Sequence, residues 1–260
     1  MIDSHCHLGV DQIQSQTAEV IDRSFSANVT HMLSVACQEE ELPPLLDLMN
    51  EYAFVYGAFG IHPEYVTEKK VTLERIIKAH LSHPRFVGVG ETGLDYFYNP
   101  NTRSEQIKAF ETHIEAACQM KKPLIIHTRD AEEDTLSILK TAHNNGYLRY
   151  GGVLHCFTGS ARLADEALAL GLYISASGVI TFKRAEALRA VFRMVPMSRL
   201  LVETDTPYLA PEPYRGKVNE PAFVVETAKV LADLKGVSLS QIDTQTTDNF
   251  KRLFLNGKKL

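Results

Sequence analysis

The chain has 260 residues, 45% of them hydrophobic, with 27 Lys and Arg against 32 Asp and Glu and a formal net charge of -5. That balance excludes a protein coated in positive potential for duplex binding, though not a nucleic-acid substrate, because bound divalent cations and a few local Arg or Lys residues can meet phosphate. No stretch has the uninterrupted apolar length of a bilayer span, no basic region precedes an apolar one at the N-terminus, and Cys6, Cys37, Cys118 and Cys156 form no C-x-x-C pair. The expectation is a cytoplasmic protein with reduced thiols, no membrane and no partner protein. No linker or charge run marks a boundary, so residues 1–260 read as one domain.

In chain order, short apolar, β-branched runs predict strands at 1–7, 30–35, 54–60, 86–91, 123–128, 151–156, 172–177 and 199–204. Helical patterns fall between them, at 15–27, 38–51, 72–82, 102–121, 131–144, 160–170, 184–194 and 220–235, and a last helix covers 238–256. Eight β-α units in about 250 residues predict an α/β fold, a single distorted TIM-type barrel with its active site at the carboxyl ends of the strands. An open doubly wound sheet is the alternative. It usually carries a Gly-rich turn after its first strand, where this chain has Asp3-Ser4-His5-Cys6-His7.

Side chains alternate along a strand, so His5 and His7 share a face, with Asp3 one step below. Alone, this pair could be a polar strand end. Further polar residues extend apolar stripes at later strand ends: His62 in GIHP, Glu91 in VGVGETGLD, His127 in LIIHTRD, His155 in GGVLHCF and Asp205 in LLVETDTPYL. Imidazoles and carboxylates aligned with core side chains are costly to bury unless paired or bound to a metal. The mixed N/O set suits zinc, manganese, nickel or iron, and with waters magnesium. Six ligands exceed what one tetrahedral ion with an open position needs, so two divalent ions are expected, with Glu91 as the bridge. His31, His80, His83, His113 and His143 are read as solvated. Alternation points Cys6 and Cys156 away from the site, as small core residues, with metal ligation the minority reading.

The segments DSHCHL, GIHP, VGETGLDYFY, IHTRDA, HCFTGS, SGVITFK, ETDTPYL and RGKVNEP, in order from residue 2 to about 254, resemble the TatD family of metal-dependent hydrolases and deoxyribonucleases, within the amidohydrolase superfamily. The resemblance implies a barrel in which His5, His7, Glu91 and Asp205 hold one metal and Glu91, His127 and His155 the other. It also implies a magnesium-dependent nuclease that removes nucleotides from DNA ends. Gly9 stands where many members carry Asp, and Val218 fills a variable position usually charged or polar; both departures bear on substrate contacts only.

The expected reaction is 3'-5' exonuclease-like phosphodiester hydrolysis, with Asp205 accepting a proton from the attacking water, and Glu203 one step below it as a supporting partner. His62, Arg129, Lys183, Arg215 and Lys217 are the candidate substrate contacts, each basic residue being equally readable as a solvated charge. Tyr96, Phe97 and Tyr98 could stack on a base or pack their loop. Competing readings are hydrolysis of a lactone, ester or amide at the same metals, and a non-catalytic metal-dependent nucleic-acid binding module.

Overall fold

The structure, a computed structural model, describes residues 1–257. Eight strands, β1 (Ile2–Cys6), β2 (His31–Ala36), β3 (Val55–Phe59), β4 (Phe86–Asp95), β5 (Leu124–Arg129), β6 (Gly152–Leu154), β7 (Tyr173–Ala176) and β8 (Leu200–Val202), pair in parallel in sequence order. Around them run α1 (Asp11–Gln14), α2 (Thr17–Ser26), α3 (Leu42–Glu51), α4 (Leu73–Leu81), α5 (Arg103–Met120), α6 (Glu132–Asn144), α7 (Ala161–Ala169), α8 (Glu186–Met194), α9 (Val224–Lys235) and α10 (Leu239–Phe254). The short α1 was not expected from the sequence. Thr72, Ser160 and Ser238 each cap a helix by accepting a backbone N–H, and Ser238 with Gln241 completes a capping box at the start of α10.

Alternation sorts the strand residues into two layers. Met32, Leu124, Ile126, Leu154, Ile174, Leu200 and Val202 face outward, packing against helix residues such as Leu136, Leu163, Phe192 and Leu231. Leu33, Ala58, Ile125, Val153 and Leu201 face inward, where Phe250, Leu253 and Phe254 of α10 join them. The terminal helix therefore supplies the floor of the barrel interior.

The seam between β8 and β1 is made largely by groups beyond the regular ladder. Asp205 N donates to His5 O at 3.0 Å and His7 N to Thr206 O at 2.8 Å. Below them the Asp3 carboxyl accepts from Thr204 N at 3.0 Å and Thr204 Oγ1 at 2.5 Å. Asp3 is thus a staple of the barrel wall. Burial drives its pKa up to about 8, against the opposing pull of the Thr204 donors.

His80 and His113 depart from the solvated reading: they are 4% and 0% exposed. Each continues the apolar stripe of its helix, His80 four residues after Ile76 and His113 three after Phe110, so both rings enter the packed face. His80 holds the Ile76 and Gly88 carbonyls at 2.8 and 2.9 Å. His113 donates from Nδ1 to Ala109 O at 2.7 Å and accepts the Ile61 N–H on Nε2 at 3.0 Å, which ties α5 to the segment carrying His62.

This hydrogen-bond pair requires neutral His113, and burial lowers its pKa to about 4. An unfolded histidine titrates near 6.5, so the unfolded chain binds more protons over that window and stability falls as pH drops through it. Urea unfolding at pH 5 should read about 2 kcal/mol less stability than at pH 7.5 from this residue. His113→Ala should flatten that part of the slope; an unchanged slope would remove His113 as its source.

Candidate metal centre

β1, β4, β5 and the segments after β1, β3, β6 and β8 deliver their polar side chains to one point above the floor. β4 reaches it by running on to Asp95, four residues past its expected end. Gly90 and Gly93 make this possible: both have positive φ, 148° and 140°, and a Cβ on either would overlap the backbone of Ile125 or His127. Their absence of side chains lets β4 press against β5, and Glu91 Oε1 comes within 2.9 Å of His127 Nδ1.

Glu91 lies at the centre and divides the site. Its Oε1 faces His155 Nε2 at 2.6 Å, His127 Nδ1 at 2.9 Å and His62 Nε2 at 3.3 Å. Its Oε2 faces His5 Nε2 at 3.4 Å and His7 Nε2 at 3.8 Å. Asp205 Oδ1 completes the second side, 3.4 Å from His7 Nε2 and 3.8 Å from His5 Nε2. Four overlapping donor groups result among the described residues: His5 with His7 and Asp205, His5 with His155 and Glu203, His7 with Cys37 and Glu91, and His62 with Glu91 and His127.

Behind three of these histidines stands a polar group. His7 Nδ1 contacts the Val35 carbonyl at 3.0 Å, which fixes the proton there and leaves Nε2 free to bind. His127 Nε2 meets Asp95 Oδ2 at 2.9 Å. Glu203, buried behind the site, accepts the Cys156 N–H at 2.6 Å and lies 3.4 Å from His155 Nδ1. It stands behind the candidate ligand His155 and does not line the cavity onto which the centre opens.

The electrostatics favour charged carboxylates. Burial alone would raise the pKa of Glu91, and the imidazoles of His155, His62 and His127 outweigh it, holding the acid well below its ordinary range. Asp205 is depressed likewise, its burial overcome by His7, His5 and His155. Burial of His7 is in turn outweighed by Asp205 and Glu91, which raise it to about 9. Protons and a divalent cation therefore compete for the same lone pairs. The set fits metal: two buried carboxylates, five imidazoles, and His5 Nδ1 and His155 Nδ1 without hydrogen-bond partners among the described residues.

The centre opens into a cavity of about 780 Å³ lined by His62, Arg129, Arg215, Tyr98 and Tyr208 among others. Lys183 and Lys217 do not line it; both are exposed on the loops after β7 and β8. Cys6 is buried in the core as expected, but Cys156 is half-buried and lines the cavity. Alternation misplaces it because β6 ends at Leu154, and Cys156 adopts a positive φ of 42°. Cys37 was not singled out, yet its Sγ lies 3.6 Å from Glu91 Oε2. It continues the inward parity of Leu33 and Val35. Asp95 was missed although it shares parity with Glu91 and stands in the GLDYFY motif. As Asp95 is the partner of a candidate ligand histidine, Asp95→Asn should weaken metal binding by about 10–100-fold, read by competition with a chelating indicator; unaltered affinity would contradict that role.

A family model described as "TatD related DNase" matches residues 2–255. The metal-dependent hydrolase YcfH of Escherichia coli K12, itself labelled uncharacterized, is 42% identical over 257 residues, covering 98% of this chain and 95% of that protein. A human 3'-5' RNA nuclease, TATDN2, is 32% identical over 97% of this chain, which spans 35% of that protein. The crystal structure of YjjV, a TatD homologue from Escherichia coli K12, superposes with a TM-score of 0.91 at 29% identity, covering 98% of both chains. With its eight-stranded barrel and its His, Glu and Asp clusters able to bind a metal, the chain belongs to the TatD family of metal-dependent hydrolases.

Proposed function

We propose that this hydrolase cleaves phosphodiester bonds at nucleic-acid ends, as a 3'-5' deoxyribonuclease that uses two divalent ions. The observation that carries the reading is the division of Glu91, one oxygen toward His5 and His7 and the other toward His127, His155 and His62, beneath a cavity with two guanidinium groups on its wall. The human relative named an RNA nuclease supports the same bond class. When bound, divalent ions supply positive charge for the non-bridging oxygens and make water easier to deprotonate.

The chain's own residues do the rest. Arg129 and Arg215 present planar donor forks that suit phosphate oxygens. Asp205, held ionised by its histidine neighbours, accepts the proton of the attacking water through Oδ1. His62, 12% exposed in its side chain, reaches the cavity beside Glu91 and steadies the substrate phosphate. Glu203 and Asp95 keep His155 and His127 oriented while charge redistributes.

The test is release of mononucleotides from single-stranded DNA and RNA, with magnesium, manganese, zinc or nickel added in turn, beside lactone, ester and amide substrates. Metal-dependent release from the 3' end of DNA is expected. Turnover confined to carbon-centred substrates would transfer the site to the alternative chemistry, and DNA-end binding without cleavage under every metal would make it a binding module.

A further inference from the structure

Exposed large apolar side chains are few among the described residues, yet Phe97 and Tyr98 are 54% and 57% exposed; Tyr98 lines the cavity over the centre, and Phe97 lies next to it just outside that lining. Their rings meet edge to face at 5.0 Å, and the Arg129 guanidinium lies 3.9 Å above Phe97 and 4.7 Å from Tyr98. The neighbouring carboxylates of Glu91 and Asp95 are engaged by His127 rather than by Arg129. Packing of the loop does not account for rings left this open to water.

The platform is built rigidly onto the centre. Asp95 Oδ1 accepts the backbone N–H groups of Phe97 at 3.0 Å and Tyr98 at 2.8 Å, while its Oδ2 meets ligand residue His127 at 2.9 Å. Tyr96 N donates to Arg129 O at 3.0 Å, so the strand pairing fixes ring and guanidinium together. One carboxylate thus sets both a metal ligand and the backbone of two exposed aromatic rings. Across the cavity, Arg215 lies 3.8 Å over Phe182, and Tyr208 is 52% exposed.

We infer that Phe97, Tyr98 and Arg129 form a nucleobase platform that stacks an unpaired base of the nucleotide next to the phosphodiester held at the centre, an inference that rests on the nuclease reading above. Flat aromatic faces flanked by guanidinium groups match the faces and charge of a nucleotide, and stacking of this kind changes affinity by roughly 5- to 150-fold per base, about 1–3 kcal/mol. A base paired within a duplex keeps its faces against its neighbours and cannot use the platform.

The experiment is fluorescence anisotropy on the metal-loaded protein with a cleavage-resistant phosphorothioate oligothymidylate and the same oligomer carrying abasic residues at its last positions. The wild type should bind the base-bearing oligomer at least about tenfold more tightly. Phe97→Ala and Tyr98→Ala should erase most of that preference while leaving affinity for the abasic oligomer unchanged, and Phe97→Tyr should retain it. Equal wild-type affinity for both oligomers, or variants that weaken both equally, would overturn the platform. The nuclease reading is scored separately by mononucleotide release from ordinary DNA. A protein that cleaves DNA without base preference loses the platform alone, and one that binds with base preference but cleaves nothing keeps it and loses the nuclease.

Discussion

Glu91→Gln should abolish metal-dependent turnover and lower the bound metal. The substitution keeps the side-chain shape but removes the charge that faces five imidazoles at 2.6–3.8 Å. An amide has one weak oxygen donor, so it cannot serve both sides of the site, and its NH2 offers no lone pair to a metal. Asp205→Asn offers the comparison, because it removes the proposed proton acceptor at the edge of the site while leaving Glu91 in place. Loss of a general base costs about 10²–10⁴ in rate. Glu91→Gln is expected to lose at least as much and, unlike Asp205→Asn, most of its metal by elemental analysis. Near-normal turnover of either folded variant would refute the role given to that residue.

The largest effect on stability is expected at the other end of the barrel. Phe250 is fully buried and meets Tyr56 and Phe254 beneath the strands. Phe250→Ala removes a ring from an interior that α10 helps close from below, and such truncations cost about 3–5 kcal/mol. A denaturation midpoint should show the loss, while metal content of the folded fraction stays normal because none of the candidate ligands sits on α10. A loss below about 1 kcal/mol would mean that the floor collapses onto the gap.

The barrel was legible because its strands and helices announce themselves by two different periods, and the order of pairing follows the chain. Polar residues ending apolar stripes identified the residues that the structure gathers, from His5 to Asp205. Other features depend on backbone path. β6 and β8 have only three residues each, so His155, Glu203 and Asp205 stand on segments where alternation no longer governs direction, and Cys156 was misplaced for that reason. His80 and His113 were misread because histidine was weighed by type rather than by its place on a helix stripe. Arg215 and Lys217 are two residues apart, yet only the former lines the cavity; that distinction is set by how the loop after β8 turns, which no spacing rule encodes.

The β8–β1 seam has a consequence for how the molecule comes into being. Asp3 and Thr204, which bond across it, are separated by 201 positions, and His5 and Asp205 sit on its two sides. During synthesis at about 5–20 residues per second, the first strand waits roughly 10–40 s before the segment that closes the ring is made. For that interval the first two histidines have no partner wall, and no fragment lacking the last quarter of the chain can assemble the centre. Hydrolytic competence therefore arrives late and all at once, with the closing of the circle.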